Sequence, residues 1–368
     1  MIGALCSGAA LGSLVAGYLG QTYGWAYGFG AAGVGMLLGL IVFMWGKPTL
    51  LGRGEPRDPA RLRARVAGVP FEWLLYVLGV GAVGVVWVLI QYQAVVGTLL
   101  MVAGALLVAY VLYTAVARLP GHDRDRIFAA LFLIVGSIMF WALFEQAGSS
   151  LNLYTDRAVD RVIFGWDVPA SMFQSINAIY IVLLAPFFAI LWTALGRRGL
   201  EPSTPAKFGL AMIQLGAGFL VLVWGAMLGD GLTPVIFVFL IYLLHTTGEL
   251  CLSPVGLSAM NRLAPAHMAG LIMGTWFFAS AGGNFAAGLI AAATGAEGAG
   301  PERVTDVYTT VGWVAVAFGV FVILLSPVVR KLMHLDTLKD DDLAGYRELA
   351  ENQAPGMRPD LETRPEQA

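Results

Sequence analysis

Two acids stand where acids are costly. Glu145 lies in Phe140-Trp141-Ala142-Leu143-Phe144-Glu145-Gln146, and Glu249 in His245-Thr246-Thr247-Gly248-Glu249-Leu250, each deep inside a long apolar run. A charge inside a bilayer is expensive to hold, so an ionisable side chain there is a functional candidate by default. A buried acid that takes up and releases a proton is the part a proton-driven carrier needs. The alternative is a structural acid, paired permanently with a base or hydrogen-bonded to a neighbouring helix. The sequence offers no Lys or Arg of comparable depth to pair with either one.

Other polar and aromatic groups accompany the acids. Asn177 follows Phe173-Gln174-Ser175-Ile176, and Ser253-Pro254 sits one turn beyond Glu249. Pro254 and Pro186 each remove a backbone donor and can kink their helices. Trp141 precedes Glu145 by four residues and is expected to face the same way, and Trp276 and Asn284, two turns apart, are expected to share a face. A cleft lined by Glu, Asn, Ser and Trp suits an amphipathic ligand carrying a positive amine. Taken singly, Trp141 and Trp276 are more often packing or lipid-contact residues than walls of a site. His245, four residues before Glu249, could hydrogen-bond to it as a proton relay or as a structural pair.

The elements that must position these groups are membrane-spanning helices. Hydrophobic residues make up 58% of the 368-residue chain and charged residues 12%, against roughly half and a quarter in soluble domains. A bilayer core about 30 Å thick needs about 20 apolar residues in a helix. Ten segments qualify, near 2–20, 27–46, 70–91, 94–117, 127–150, 169–195, 207–228, 232–256, 267–293 and 307–329. Lys and Arg cluster in every second connection: 47–65, 118–126, 197–207, Arg262, and Arg330 with Lys331. The intervening loops at 21–26, 92–93 and 229–231 carry none. That alternation places the first residue and the tail in the cytoplasm. In the mixed loop 151–168, Arg157 and Arg161 face Asp156, Asp160 and Asp167.

The spans and loops divide the chain into five parts. Residues 1–46 form two helices rich in small residues, with Gly8-xxx-Gly12 and Gly35-xxx-Gly39 read as close-packing motifs. Residues 47–69 are a basic cytoplasmic linker, and 70–117 a hairpin with almost no polar interior, suited to lipid. Residues 118–331 hold six helices. Residues 332–368 are a polar, mostly disordered tail with room for one short interfacial helix.

Several classes are excluded. A net charge of −2 gives no basic surface for nucleic acid. Cys6 and Cys251 lie in apolar segments, lack the neighbours of a metal site and form no disulfide framework. There is no HExxH, CxxC, Ser/His/Asp arrangement or phosphate-binding loop, so neither an enzyme nor an ATP-driven pump is supported, and no cofactor is expected beyond the proton as coupling ion.

With these residues in place, the chain resembles the proton-dependent oligopeptide transporter family of the major facilitator superfamily. The resemblance is carried by FWALFEQAGSSLNLYTDR (140–157), ASMFQSINAIYIVLLAPFFAILW (170–192), GRRGLEPSTPAKFGLA (196–211), LLHTTGELCLSPVGLS (243–258) and MGTWFFASAGGNFAAG (273–288). GYLGQTYGWAYGFGAAGVGMLLGL (17–40) is similar to the family's fifth-to-sixth helix junction. The resemblance implies an all-α membrane protein of about ten transmembrane helices. Residues 1–46 would be the last two helices of an incomplete N-terminal bundle, 70–117 the inserted hairpin, and 118–331 the complete C-terminal six-helix bundle. It implies uptake of di- and tripeptides with protons across the cytoplasmic membrane. Asn177 and Glu249 would bind the peptide amino terminus, and Glu145 would couple to protons by losing a salt bridge on protonation. Trp141, Trp276, Ser253 and Ser280 would line side-chain pockets, and Arg197 and Arg198 would brace an inner gate.

The departures from the family pattern lie towards the start of the chain. No Glu-x-x-Glu-Arg motif is present, nor the fourth-helix Lys that the family pairs with the acid at Glu145, and the family's Ile-Asn-x-Gly stands as Leu5-Cys6-Ser7-Gly8. The chain is therefore expected to be N-terminally truncated and inactive alone. A non-transporting membrane remnant and a symporter of another small solute are the competing expectations.

Overall fold

The computed structural model describes residues 2–50, 59–66, 68–228, 231–295 and 300–335. The expected tail from residue 336 onward, residues 51–58 of the basic linker and the side chain of Cys6 lie outside the described residues. Twelve α-helices are described: α1 (Ile2–Tyr23), α2 (Trp25–Gly46), α3 (Pro59–Arg63), α4 (Phe71–Gln91), α5 (Gln93–Arg118), α6 (Gly121–Phe144), α7 (Ser150–Ala158), α8 (Ser175–Arg197), α9 (Thr204–Leu228), α10 (Ile236–Leu263), α11 (Ala269–Gly295) and α12 (Pro301–Leu332). Among the described residues nine helical stretches are long and apolar enough to cross a membrane. The first helix, α1, has 22 residues, and its opening side chains fall outside that count.

The contacts divide the chain into two units: Met1–Gly35 with Leu112–Leu338, and a second containing Met36–Val111. In the second, α4 buries none of its side chains, although it is apolar on every side. A soluble helix could not leave Trp73, Val80 and Val83 exposed, whereas a lipid-facing one does so at no cost. Part of the expected linker is structured: a short 3₁₀ turn at Lys47–Leu50, α3, and an antiparallel pair of two-residue strands, β1 (Arg65–Val66) and β2 (Val69–Pro70). Gly68, at φ 84°, makes the turn between those strands.

In the first unit, α9 packs against α12 and α10, and α6 against α11. What lets α9 and α12 meet is an antiparallel double pair of glycines. A Cβ on Gly209 would stand 2.6 Å from the carbonyl oxygen of Gly319, and one on Gly216 would stand 2.5 Å from that of Gly312. Each pair is seven residues from the next on both helices, so the same face recurs every two turns. Between apolar helices in lipid, close backbone approach replaces the hydrophobic drive that water would supply. The expected Gly8-xxx-Gly12 and Gly35-xxx-Gly39 motifs make no such contact, since a Cβ at any of these four glycines meets nothing within 4 Å.

The segment expected to end its span at 150 continues. A 3₁₀ turn at Glu145–Gly148 follows α6, and α7 extends the path to Ala158. The mixed loop beyond it is ordered by short pairings. Strand β3 (Val159–Asp160) runs parallel to β6 (Thr233–Pro234), and β4 (Val162–Ile163) pairs antiparallel with β5 (Trp166–Asp167) across Phe164 and Gly165, both at positive φ. Arg161 donates to the Val168 carbonyl at 2.9 Å and pairs with Asp156 and Asp167, which places the loop's opposite charges together.

The glycine contacts carry a prediction. Gly216→Ala puts a methyl into the Gly312 carbonyl with no rotamer to escape by, and is expected to cost roughly 1–3 kcal/mol of stability as overpacking does. Gly12→Ala, facing open space, is expected to be neutral or slightly stabilising through helix propensity. Thermal unfolding of both variants in detergent checks the contrast, and equal melting temperatures would refute it.

Candidate functional site

The site forms where α6 loses its regular turn. The Glu145 backbone N–H is shared between the carbonyls of Leu143 and Trp141, and the chain tightens into the 3₁₀ turn that follows. The next residue holds the break open. Gln146 is fully buried; its Nε2 donates to the Ala142 carbonyl at 2.9 Å and to the Ala287 carbonyl on α11 at 3.1 Å. Its Oε1 accepts from Ser150 Oγ at 2.6 Å, and Ser150 shares a 2.7 Å hydrogen bond with the Tyr308 hydroxyl on α12. This relay joins the break to α11 and α12 and satisfies every polar atom it buries. With Gln146 committed inward, Glu145 at the adjacent position is left half-buried.

The second acid is held from α8. Asn177 Nδ2 donates to Glu249 Oε2 at 3.0 Å and to Thr246 Oγ1 at 3.1 Å, both on α10. A 3₁₀ turn, Ala170–Gln174, swings the chain into α8, and the Ser175 hydroxyl closes that turn on the Met172 carbonyl at 2.6 Å. Asn177 thus enters two residues into a rigid helix. Pro254 sits five residues after Glu249 and leaves the Leu250 carbonyl without its helical donor. Among the described residues neither has an ion-pair partner. The arrangement is one acid at the break after α6 and a second on α10 with an amide already in place against it.

The remaining expected site residues separate. Ser253, one turn beyond Glu249, is part-exposed, and Ser280 bonds back to the Trp276 carbonyl at 3.3 Å. Trp141 rests its Cβ over Gly283 of α11, and its ring meets Phe140 and Phe144 edge-on. Its indole nitrogen is buried without a partner among the described residues. Trp276 is 4% exposed, wedged against Phe208 and over Gly256, where a Cβ would come within 2.3 Å of the ring. In this conformation it is a packing residue, not an open wall of a pocket. Nor does it share a face with Asn284, which is exposed: eight residues at 100° each leave the two about 80° apart.

Two further expectations are corrected. His245 does not reach Glu249; its ring lies against Phe219, at 4.9 Å between centroids, and over Gly218. Four residues separate them along α10, but Glu249 is turned toward Asn177 and His245 toward α9. A buried Lys also exists. Lys207 falls in the first turn of α9, where it pairs with Glu201 and sits 4.3 Å from the centre of the Trp192 ring. Both partners belong to that end of the bundle, so Lys207 is not the missing counter-charge.

Sequence reasoning missed Gln146, Ser150, Tyr308 and Thr246. The signal for the first two was present: polar residues four apart on one helix face, directly after the acid. Tyr308→Phe is expected to destabilise by about 1–2 kcal/mol, because Ser150 keeps a buried hydroxyl with one partner fewer. Combined with Ser150→Ala the loss should fall short of the sum, since both act in one relay. Thermal unfolding of the two single variants and the double variant decides this, and strict additivity would refute it.

Comparison with known proteins places the chain. Residues 3–299 match the POT family. The peptide transporter YePEPT of Yersinia enterocolitica is 34% identical over 352 residues, covering 89% of this chain and 66% of that protein. The dipeptide and tripeptide permease B of Salmonella typhimurium is 27% identical, covering 89% of this chain and 67% of that protein. A crystal structure of a mutant POT peptide transporter in complex with alafosfalin superposes with a TM-score of 0.73 at 31% identity, covering 89% of this chain and 66% of that one. Another, of a POT family transporter in complex with 5-aminolevulinic acid, superposes at 0.68 with 25% identity, covering 87% and 67%. The chain spans about two thirds of the length of these relatives, which are named as transporters rather than enzymes. By the match over most of its length, by its helical membrane architecture of the major facilitator type and by these relatives, the chain is a multi-pass membrane protein and belongs to the POT family.

Proposed function

We propose that this chain serves proton-coupled uptake of di- and tripeptides across the cytoplasmic membrane. Glu249 and Asn177 hold the peptide amino terminus, Glu145 carries the coupling proton, and Trp141, Ser253 and Ser280 border the space for peptide side chains. Trp276 would join them only in a conformation that frees it from Gly256. The observation that carries this reading is the pair of acids that have no ion-pair partner among the described residues, one of them held by the Asn177 amide at 3.0 Å. In hydrocarbon an ionised carboxylate needs compensation, and an ammonium group and a proton are the two positive species that would supply it. An ammonium against Glu249 Oε1 and Asn177 Oδ1 would make charge-assisted hydrogen bonds.

Alternating access requires two bundles moving about a central site. Binding by this chain and uptake through an assembled carrier are therefore separate measurements. Glu249→Gln is expected to weaken dialanine binding by roughly ten- to a hundredfold, the worth of a hydrogen bond to a charged group. N-acetyl-dialanine, which has no ammonium, should bind the unaltered chain equally poorly. Isothermal titration of the purified protein in detergent checks both, and dialanine affinity unaffected by Glu249→Gln would remove the amine-binding role. For coupling, Glu145→Gln in proteoliposomes of the assembled carrier should abolish uptake driven by a pH gradient while leaving counterflow. Gradient-driven uptake at the original rate would take Glu145 out of the mechanism.

A second reading has one observation in its favour: a relative's structure holds 5-aminolevulinic acid, a small amino acid and not a peptide. Competition of dialanine binding by that compound, by free amino acids and by nitrate would set the breadth of the ligand class.

A further inference from the structure

Thr246 is fully buried and lies between Asn177 and the backbone of its own helix. Its hydroxyl donates to the Tyr242 carbonyl at 2.7 Å, one turn back along α10. A threonine hydroxyl has one proton to give and two lone pairs to offer. With the proton committed to Tyr242, only lone pairs face Asn177. The amide must therefore present its NH₂ to Thr246, and it does so at 3.1 Å. The second amide proton goes to Glu249 Oε2 at 3.0 Å. Both donors of Asn177 are then spent, and the carbonyl oxygen Oδ1 is the group left for a ligand.

We propose that Thr246 is a positioning residue for the substrate site: by acting as an obligatory acceptor it fixes the Asn177 amide so that Oδ1 stays free for the ligand. The role matters because Asn is ambiguous by itself. A half-turn of the amide exchanges its oxygen and nitrogen at nearly constant shape. Glu249 opposes that turn while it is ionised, since carboxylate and amide oxygens would face each other. When Glu249 carries a proton it can donate to Oδ1 instead, and the restraint vanishes. Thr246 imposes the same orientation in both states. An ammonium then meets two acceptors, Oδ1 and the free carboxylate oxygen, instead of one acceptor and one repelling NH₂. Thr246 never touches the ligand.

This rests on the amine-binding role given above to Asn177 and Glu249, and two readouts separate the failure of one from the failure of the other. The first needs no peptide. With asparagine-selective ¹⁵N labelling, and Asn177→Ala to assign the signal, both Asn177 side-chain amide protons should exchange slowly in the unaltered chain. T246V should make one of them fast and shift the pair, and T246S, which keeps the hydroxyl, should not. An Asn177 signal unchanged in T246V overturns the proposal whether or not any peptide binds. The second readout is dialanine affinity. T246V should weaken it about tenfold, roughly one hydrogen bond to a charged group, and T246S should restore it. In the Asn177→Ala background T246V should cost nothing further. A full additional loss there would mean that Thr246 acts through packing, and would overturn the positioning role. A folded control, the melting temperature of T246V within a few degrees of the parent, shows that neither readout is a consequence of unfolding.

Discussion

A carboxylate in hydrocarbon cannot be left alone, and the site is arranged around two of them. Glu145 and Glu249 reach it by different routes: one at a break between α6 and α7, the other from within the continuous α10 and against Asn177 of α8. Around each, the neighbouring polar groups are spent on one another. Gln146, Ser150 and Tyr308 close one relay; Asn177, Thr246 and the Tyr242 carbonyl close the second. What is left over is the two acids, neither of them ion-paired among the described residues.

The bundle that holds these groups is itself fastened by backbone contact more than by side-chain chemistry. Glycines at 209, 216, 312 and 319 bring α9 and α12 within touching distance, and Gly248 brings α10 onto α9, where a Cβ would stand 3.0 Å from the Ala211 carbonyl. Gly218 and Gly256 make room for the rings of His245 and Trp276. Close packing on these faces leaves few ways for α10 to rotate. Asn177 and Glu249 thereby keep their spacing even though each belongs to a different helix.

Much of this was legible in the residues. Long apolar runs, alternating basic loops and two isolated acids were enough for spans and site candidates, and ordered motifs such as the stretch around Glu249 were enough for the family. The span boundaries moved by a few residues, because polar helical turns such as Ser150–Ala158 carry no apolar signal. The pairing of Asn177 with Glu249 was implied only by resemblance, since 72 residues separate them. Packing roles fared worst. Trp276, Gly8 and Gly35 were assigned faces from spacing, and spacing does not tell what a face meets.

The sequence by itself determined membrane residence, the all-helical architecture and the family. Those follow from composition and local order, to which a bilayer responds directly. Tertiary structure alone decided which glycines touch, where α6 breaks, that Trp276 is buried, that His245 turns away from Glu249, and which way the Asn177 amide points. The reason is physical. In water an amphipathic stripe marks the inward face of a helix. In a bilayer both the protein interior and the lipid are apolar, so the outer and inner faces of these helices read alike. Only the contacts distinguish them.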